Sequence, residues 1–338
     1  MAIVFCDMTA VEIYRANRFR SFNAPIQARA AKKMFMDSSN GVSAKEVDKI
    51  DLGRYGVQSE ARCIHLLVSS ASLKRNLGST CFHVWQQEVT TGMFIELEPD
   101  VYIVSPEFLV LQVAGMMNVP LLAELGMELC GRYEVAPYYR MERRRPRPLT
   151  SPAKIERFLD AHTRDYGARK AKQALVHVLA NSWSSMETKV CLLLCLPRTM
   201  GGYGIRQPLM NDSITLPTYA QVVDGRSKLY IDMHWPDEGF AVEYDGEDSH
   251  FNATGIIRDN RRLTALSVLG IDVMVLTYAD VFYYDAMDNV AKKIARRLGI
   301  KQRKPSRKML EQRVNLRKML LFGDGRRAQS KEDAPSLK

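Results

Sequence analysis

The residues best placed to do chemistry lie in Lys228-Leu-Tyr-Ile-Asp232-Met-His-Trp-Pro-Asp-Glu-Gly239-Phe-Ala-Val-Glu243-Tyr-Asp245-Gly246. Two short strand-like runs flank a Pro-Asp-Glu-Gly turn, the pattern of a hairpin. Centred on that turn, the hairpin sets Pro236 opposite Gly239, Trp235 opposite Phe240 and Asp232 opposite Glu243. Side chains alternate between the two faces of a strand. Ile231, Met233, Val242 and Tyr244 then share a mostly apolar face, while Asp232, Glu243 and Asp245 share the other. Acids directly opposed across a strand pair repel. A bound cation, a shared proton or full exposure to water each offset that repulsion, and the residues alone leave the three open. A divalent metal suits such hard oxygen donors.

The flanking residues extend this chemistry. His250 follows in Gly246-Glu-Asp-Ser-His250, as a general acid or base or as a capping residue. Arg258 and Arg262, in Arg258-Asp-Asn-Arg-Arg262, share one helix face at i, i+4. They either hold a phosphate or belong to a salt-bridged helix surface. An acidic metal site beside helical arginines is suited to a phosphodiester, which the metal polarises while activating water. Glu187, in Ser184-Ser-Met-Glu-Thr188, begins a predicted helix and is a candidate further acid.

Taken in order, these residues resemble the restriction-endonuclease-like PD-(D/E)XK superfamily, in the branch near the very-short-patch repair endonucleases and their uncharacterised bacterial relatives. That pattern runs from an acid on a first helix to an aspartate, an acid-x-Asp-Gly with a later histidine, Arg-Asp-x-x-Arg and a glycine-bounded strand. Here these are Glu187, Asp232, Glu243-Tyr-Asp245-Gly246, His250, Arg258-Asp-Asn-Arg-Arg262 and Gly270-Ile-Asp-Val-Met-Val-Leu-Thr277, across residues 183–282. The resemblance implies Mg²⁺ (or Mn²⁺) held by Asp232 and Glu243, with Glu187 as a supporting acid. It implies a metal-dependent nucleic-acid hydrolase, an endonuclease or nicking enzyme, with DNA as the first-choice partner. Many members carry a lysine two residues after the acid, where this chain has Asp245. That departure leaves an alternative: a non-catalytic, antitoxin-like DNA-binding regulator with a degenerate nuclease fold. The N-terminal segment more faintly resembles antitoxin-type regulators of abortive-infection systems, in Ile64-His-Leu-Leu-Val68, Phe82-His-Val84 and Val104-Ser-Pro-Glu107. That likeness implies a protein partner in a toxin-antitoxin or defence system.

The elements that must position these residues alternate as an α/β domain does. Helical patterns at 153–165, 168–180 and 184–196 precede strands at 229–233 and 240–244. A helix at 256–269, a strand at 271–277 and a helix at 286–298 complete the order. Upstream, Thr9 is expected to cap a helix over 10–18. Strands are expected at 64–68, 81–85 and 101–104, and Ser105-Pro106-Glu107 opens a helix. The expected organisation is an N-terminal α+β domain (1–135), a basic Pro/Arg linker (136–153), a restriction-endonuclease-like α/β domain (154–300) and a basic tail (301–338). The glycines at 201, 202 and 204 do not fit a dinucleotide-binding loop.

Charge and composition frame that reading. The net charge is +10, and residues 296–338, with fourteen Lys or Arg and four Asp or Glu, carry the whole excess. Within the predicted helix 308–322, Met309, Gln312, Leu316, Met319 and Leu320 face one side. Arg313, Arg317 and Lys318 then remain available to phosphates. No apolar run is long enough to span a bilayer, and the N-terminus does not read as a signal peptide. The six cysteines form no C-x-x-C pair, which speaks against a zinc or redox motif. Read as free thiols, they fit a reducing cytoplasm.

Overall fold

A computed structural model describes residues 2–16, 25–37, 42–57, 63–135, 143–246 and 253–322, with the backbone alone for 222–224, 253–256 and 258. The chain is mixed α/β and divides into two units, residues 1–176 and 177–338. The division falls after Val176 rather than in the Pro/Arg stretch.

The first unit starts with strand β1 (Ile3–Phe5) and helix α1 (Asp7–Ala16). Helices α2 (Ala28–Asp37) and α3 (Ala44–Val47) follow, then β2 (Ile64–Val68), β3 (Thr80–Val84), β4 (Phe94–Glu98) and β5 (Val101–Val104). The strands form one sheet in the order β3-β2-β1-β5-β4. β1 lies antiparallel to β2 and parallel to β5, β2 is parallel to β3, and β4 is antiparallel to β5. Phe5, Leu66, Phe94 and Ile103 are fully buried in its core. Thr9 does not cap α1, which begins at Asp7; its hydroxyl instead accepts a hydrogen bond from the His65 amide at 2.9 Å.

Helix α4 (Pro106–Val113) begins as its sequence predicts. Ser105 Oγ accepts from the Phe108 amide, and Pro106 occupies the first turn, where its missing N–H costs nothing. Helix α5 (Val119–Leu129) starts in the same way on Asn118. The short strands β6 (Tyr133–Glu134) and β7 (Arg143–Arg144) pair antiparallel. Helices α6 (Pro152–Ala161) and α7 (Ala168–Leu175), expected to open the C-terminal domain, belong to the first unit. The His162 imidazole after α6 reaches Thr90 Oγ1 at 3.0 Å, and Lys170 of α7 donates to the Met117 carbonyl at 3.1 Å. Arg145, from the basic linker, is buried and donates to the Tyr14 carbonyl.

The second unit runs α8 (Ser185–Cys195), β8 (Leu209–Thr215), α9 (Thr218–Asp224), β9 (Lys228–Trp235), β10 (Phe240–Asp245), α10 (Ala253–Val268), β11 (Asp272–Thr277), α11 (Tyr278–Phe282), α12 (Tyr284–Arg297) and α13 (Arg307–Arg317). Its sheet has the order β11-β10-β9-β8; β10 and β11 are parallel, and the other pairs are antiparallel. Leu216, Leu229, Ile231, Ala241, Ala265, Leu266 and Ile271 form a buried cluster joining strands to helices.

The last helix is not a detached tail. Leu316 and Leu320 are buried, as the apolar stripe predicts, but Arg313 and Arg317 are buried beside them. Arg313 pairs with Asp288, and its guanidinium lies 4.0 Å from the centre of the Tyr203 ring. Arg317 donates to the carbonyls of Val281 and Phe282 at 2.8 and 3.0 Å, holding the end of α11. The two arginines expected to meet phosphates are thus consumed by the fold, and Lys318 stays exposed. Gly201 permits the close approach of α13: its φ is +93°, and a Cβ there would sit 2.3 Å from the Gln312 carbonyl.

The cysteines also depart from expectation. Cys63 and Cys81 form a disulfide, while Cys6, Cys130, Cys191 and Cys195 are free thiols. No helix among the described residues is long and apolar enough to cross a membrane.

Candidate active site

The hairpin between β9 and β10 sets the frame. Trp235 pairs with Phe240, His234 with Ala241 and Met233 with Val242, the register predicted from the turn. Gly239 closes the turn with φ +53°, and a Cβ there would meet the Gly270 carbonyl at 2.8 Å. Below Met233, side chains tie the two strands. One Asp232 oxygen accepts from the Tyr244 amide at 2.9 Å. Arg262, from α10, donates to both Glu243 and the Tyr230 carbonyl, so its guanidinium bridges β10 to β9.

Glu243 is 8% exposed. Its Oε2 is held by Arg262, and its Oε1 is buried with no hydrogen-bond partner. Burial pushes its pKa above the ordinary carboxylate value; the charge of Asp232 adds to the rise, and Arg262 only partly opposes it. An unpartnered carboxylate oxygen in a buried position is costly unless something binds it.

Glu187 joins this group from α8. Ser184 caps the helix by accepting from the Glu187 amide at 3.0 Å. The Glu187 carboxylate then accepts from the Trp183 amide at 2.9 Å and from the Asn211 side chain. Asn211 sits on β8 with φ +45°. Burial, followed by the charge of Asp232, raises the Glu187 pKa to about 8. The charge of Asp232, on β9, acts on both Glu187 of α8 and Glu243 of β10, but the ligand atoms of the three acids do not all lie within 4.8 Å of one another.

The other predicted site residues do not join this set. Asp245 is exposed at the end of β10, in register with Thr277. Arg262 gives one donor to Glu243 and one to the Tyr230 carbonyl, so its guanidinium is held against the acidic set. Arg258 lies on α10, with its side chain outside the described residues, and His250 lies outside them altogether.

Two clusters escaped the sequence reading. His234 is buried; its Nδ1 lies 2.7 Å from Asp212 Oδ2, and its Nε2 has no partner. It stands two residues after Asp232, so strand alternation could have flagged it. The second cluster is in the first unit. Among the described residues, Asp7, His65 and His83 are the one group of three potential ligands whose atoms all lie within 4.8 Å of one another. Its signal was the repeated Cys-x-His spacing of Cys63-Ile-His65 and Cys81-Phe-His83.

Comparison of the chain with family models, with curated proteins and with solved structures found no match.

Proposed function

We propose that residues 177–338 act as a metal-dependent nucleic-acid hydrolase of the restriction-endonuclease-like kind. The observation that carries this reading is the coupled set of Glu187, Asp232 and Glu243, in which Glu243 Oε1 is buried and unpartnered. Carboxylate oxygens are the donor type that a hard divalent cation, Mg²⁺ or Mn²⁺, takes. These three acids do not have ligand atoms all within 4.8 Å of one another, so binding would have to draw them together. Asp232 and Glu243 would hold it, with Glu187 beside them. Bound there, the cation would supply a polarised phosphate and a water of lowered pKa. The chain's own groups have separate tasks. Arg262 fixes the Glu243 carboxylate, and Asn211 with the Trp183 amide fixes that of Glu187. With a pKa raised to about 8, Glu187 holds a proton at neutral pH that it would give up on ligating a cation. Lys318 is a candidate phosphate contact.

Two observations favour a second reading, a DNA-binding regulator without catalysis. Arg262 already brings a positive charge to Glu243, and Asp245 stands where a catalytic lysine is common in the superfamily that the sequence resembles. Cleavage separates the two. DNA and RNA, single- and double-stranded, are incubated with the full chain and Mg²⁺ or Mn²⁺. The hydrolase reading predicts metal-dependent strand scission, lost in Asp232→Ala and Glu243→Ala with the fold intact. Binding without scission under every condition selects the regulator.

A further inference from the structure

The first unit contains a constellation unrelated to the acidic set. β2 and β3 run parallel, with His65 aligned to Cys81 and Leu67 aligned to His83. Alternation puts His65, Cys81 and His83 on one face of the sheet. Cys63, two residues before His65, is tied to Cys81 by the disulfide, with Cα atoms 5.9 Å apart. Asp7 reaches the same place from the start of α1, one strand away in the sheet order.

The geometry is tight. His65 Nδ1 and His83 Nε2 are 2.8 Å apart, and the two rings stack at 5.1 Å. Asp7 Oδ1 lies 3.9 Å from His65 Nδ1, and Asp7 Oδ2 lies 3.6 Å from His83 Nδ1. Ligand atoms bound to one tetrahedral zinc at about 2.0–2.2 Å stand roughly 3.3–3.5 Å from each other. These contacts use both ring nitrogens of His83 and both oxygens of Asp7, and the 2.8 Å pair is a hydrogen bond between the imidazoles. One ligand atom from each residue lies within 4.8 Å of the other two, so ring rotations would have to close them onto a metal. The backbone is held as well: the Cys6 amide donates to the His65 carbonyl at 3.1 Å, and Thr9 accepts from the His65 amide.

Asp7 is the second independent sign. It has φ +50° without being a glycine, a backbone state that costs about 1–3 kcal/mol and concentrates at functional positions. Its carboxylate is 4% exposed, and its ion-pair neighbours among the described residues are the two imidazoles alone. The Met8 amide donates to Asp7 Oδ1 at 2.6 Å, and the carboxylate otherwise faces the two imidazoles. The imidazoles are 19% and 32% exposed, so the cluster opens toward solvent on their side.

We propose that Asp7, His65 and His83 form a binding site for a late first-row divalent metal of the zinc class, with a fourth position open to water or an anionic ligand. Two imidazoles and a carboxylate favour that class over Mg²⁺ or Ca²⁺, which take oxygen ligands. In the disulfide form, the sulfurs of Cys63 and Cys81 are withheld from the metal, so the ligand set is two nitrogens and one oxygen. The disulfide ties the strand positions flanking the two histidines.

The test is a Co²⁺ titration of the full chain, freed of metal by a chelator and kept unreduced, followed by displacement with Zn²⁺. One equivalent is expected to bind saturably in Asp232→Ala, where the acidic set is disabled, without a thiolate-to-cobalt charge-transfer band. Introducing His83→Gln or His65→Ala is expected to weaken that binding by more than the roughly 10–100-fold that losing an outer-shell partner costs. Asp7→Asn is read alongside them, with circular dichroism confirming that each variant folds. Three results would overturn the proposal: no saturable Co²⁺ binding by the folded protein, binding unchanged in both histidine variants, or a thiolate band without reduction. The outcome is independent of nucleic-acid cleavage, which is read from the other unit.

Discussion

Replacing Glu187 by Gln keeps the shape of the acidic set and removes one titration. Glu187 is 7% exposed, and its carboxylate is held by the Trp183 amide and Asn211, bonds that a Gln carbonyl oxygen can also accept. Its pKa rises from the ordinary 4.5 to about 8, first through burial and then through Asp232. A folded-state pKa above the unfolded value means that full stability is present below about pH 4.5 and is lost as pH rises toward 8. At about 1.4 kcal/mol per pH unit, that interval amounts to a loss on the order of 5 kcal/mol. Glu187→Gln removes the loss. Urea unfolding at a series of pH values should therefore give similar stabilities for the two proteins near pH 4.5. The variant should gain progressively up to pH 8 and keep a constant advantage above it. Mg²⁺ should recover part of the difference in the wild type, because a ligand that binds only the folded state stabilises it. Parallel stability curves between pH 5 and 8, or a variant less stable at pH 8.5, would refute the placement of a strained acid at this position.

Other consequences follow from α13. Arg313→Met removes the buried partner of Asp288, which keeps Lys292 at 3.0 Å and is partly exposed, and should cost about 1–3 kcal/mol in chemical denaturation. Gly201→Ala drives a Cβ toward the Gln312 carbonyl at a positive φ, and should cost at least about 1–3 kcal/mol, read as a lowered unfolding midpoint. Deleting 301–338 removes the buried Leu316 and Leu320, each worth about 1.5–3 kcal/mol, and should destabilise the second unit.

The hairpin was legible because it is local: a turn and a period of two fix which residues pair, and Trp235–Phe240 through Met233–Val242 pair as expected. Strand β8 was not legible, since Leu-Met-Asn-Asp-Ser-Ile-Thr is polar and takes its order from β9. Charge misled at Arg313 and Arg317. A run of cations looks alike whether it meets phosphate or, as here, an aspartate and carbonyls 25 to 36 residues away in the chain. The Pro/Arg stretch suggested a linker, but the His162–Thr90 and Lys170–Met117 contacts carry the first unit past it. The acids at 187, 232 and 243 were found one by one. That the two glutamates have raised pKa values follows from burial, which spacing does not reveal. Asp7, His65 and His83 were missed because the Cys-x-His repeat marks only the two histidines, and it is the sheet order β3-β2-β1 that brings Asp7 to them.

The most direct measurement of the central claim is Mn²⁺ occupancy of the acidic set, followed by electron paramagnetic resonance in the full-length chain. Working in the His83→Gln background silences the first unit's histidine cluster. The account predicts a saturable Mn²⁺ site that Mg²⁺ displaces. Its affinity should rise as pH approaches 8 and Glu187 loses its proton, and binding should vanish in Asp232→Ala and Glu243→Ala. Mn²⁺ binding that survives both substitutions undiminished, or that never saturates, would contradict it.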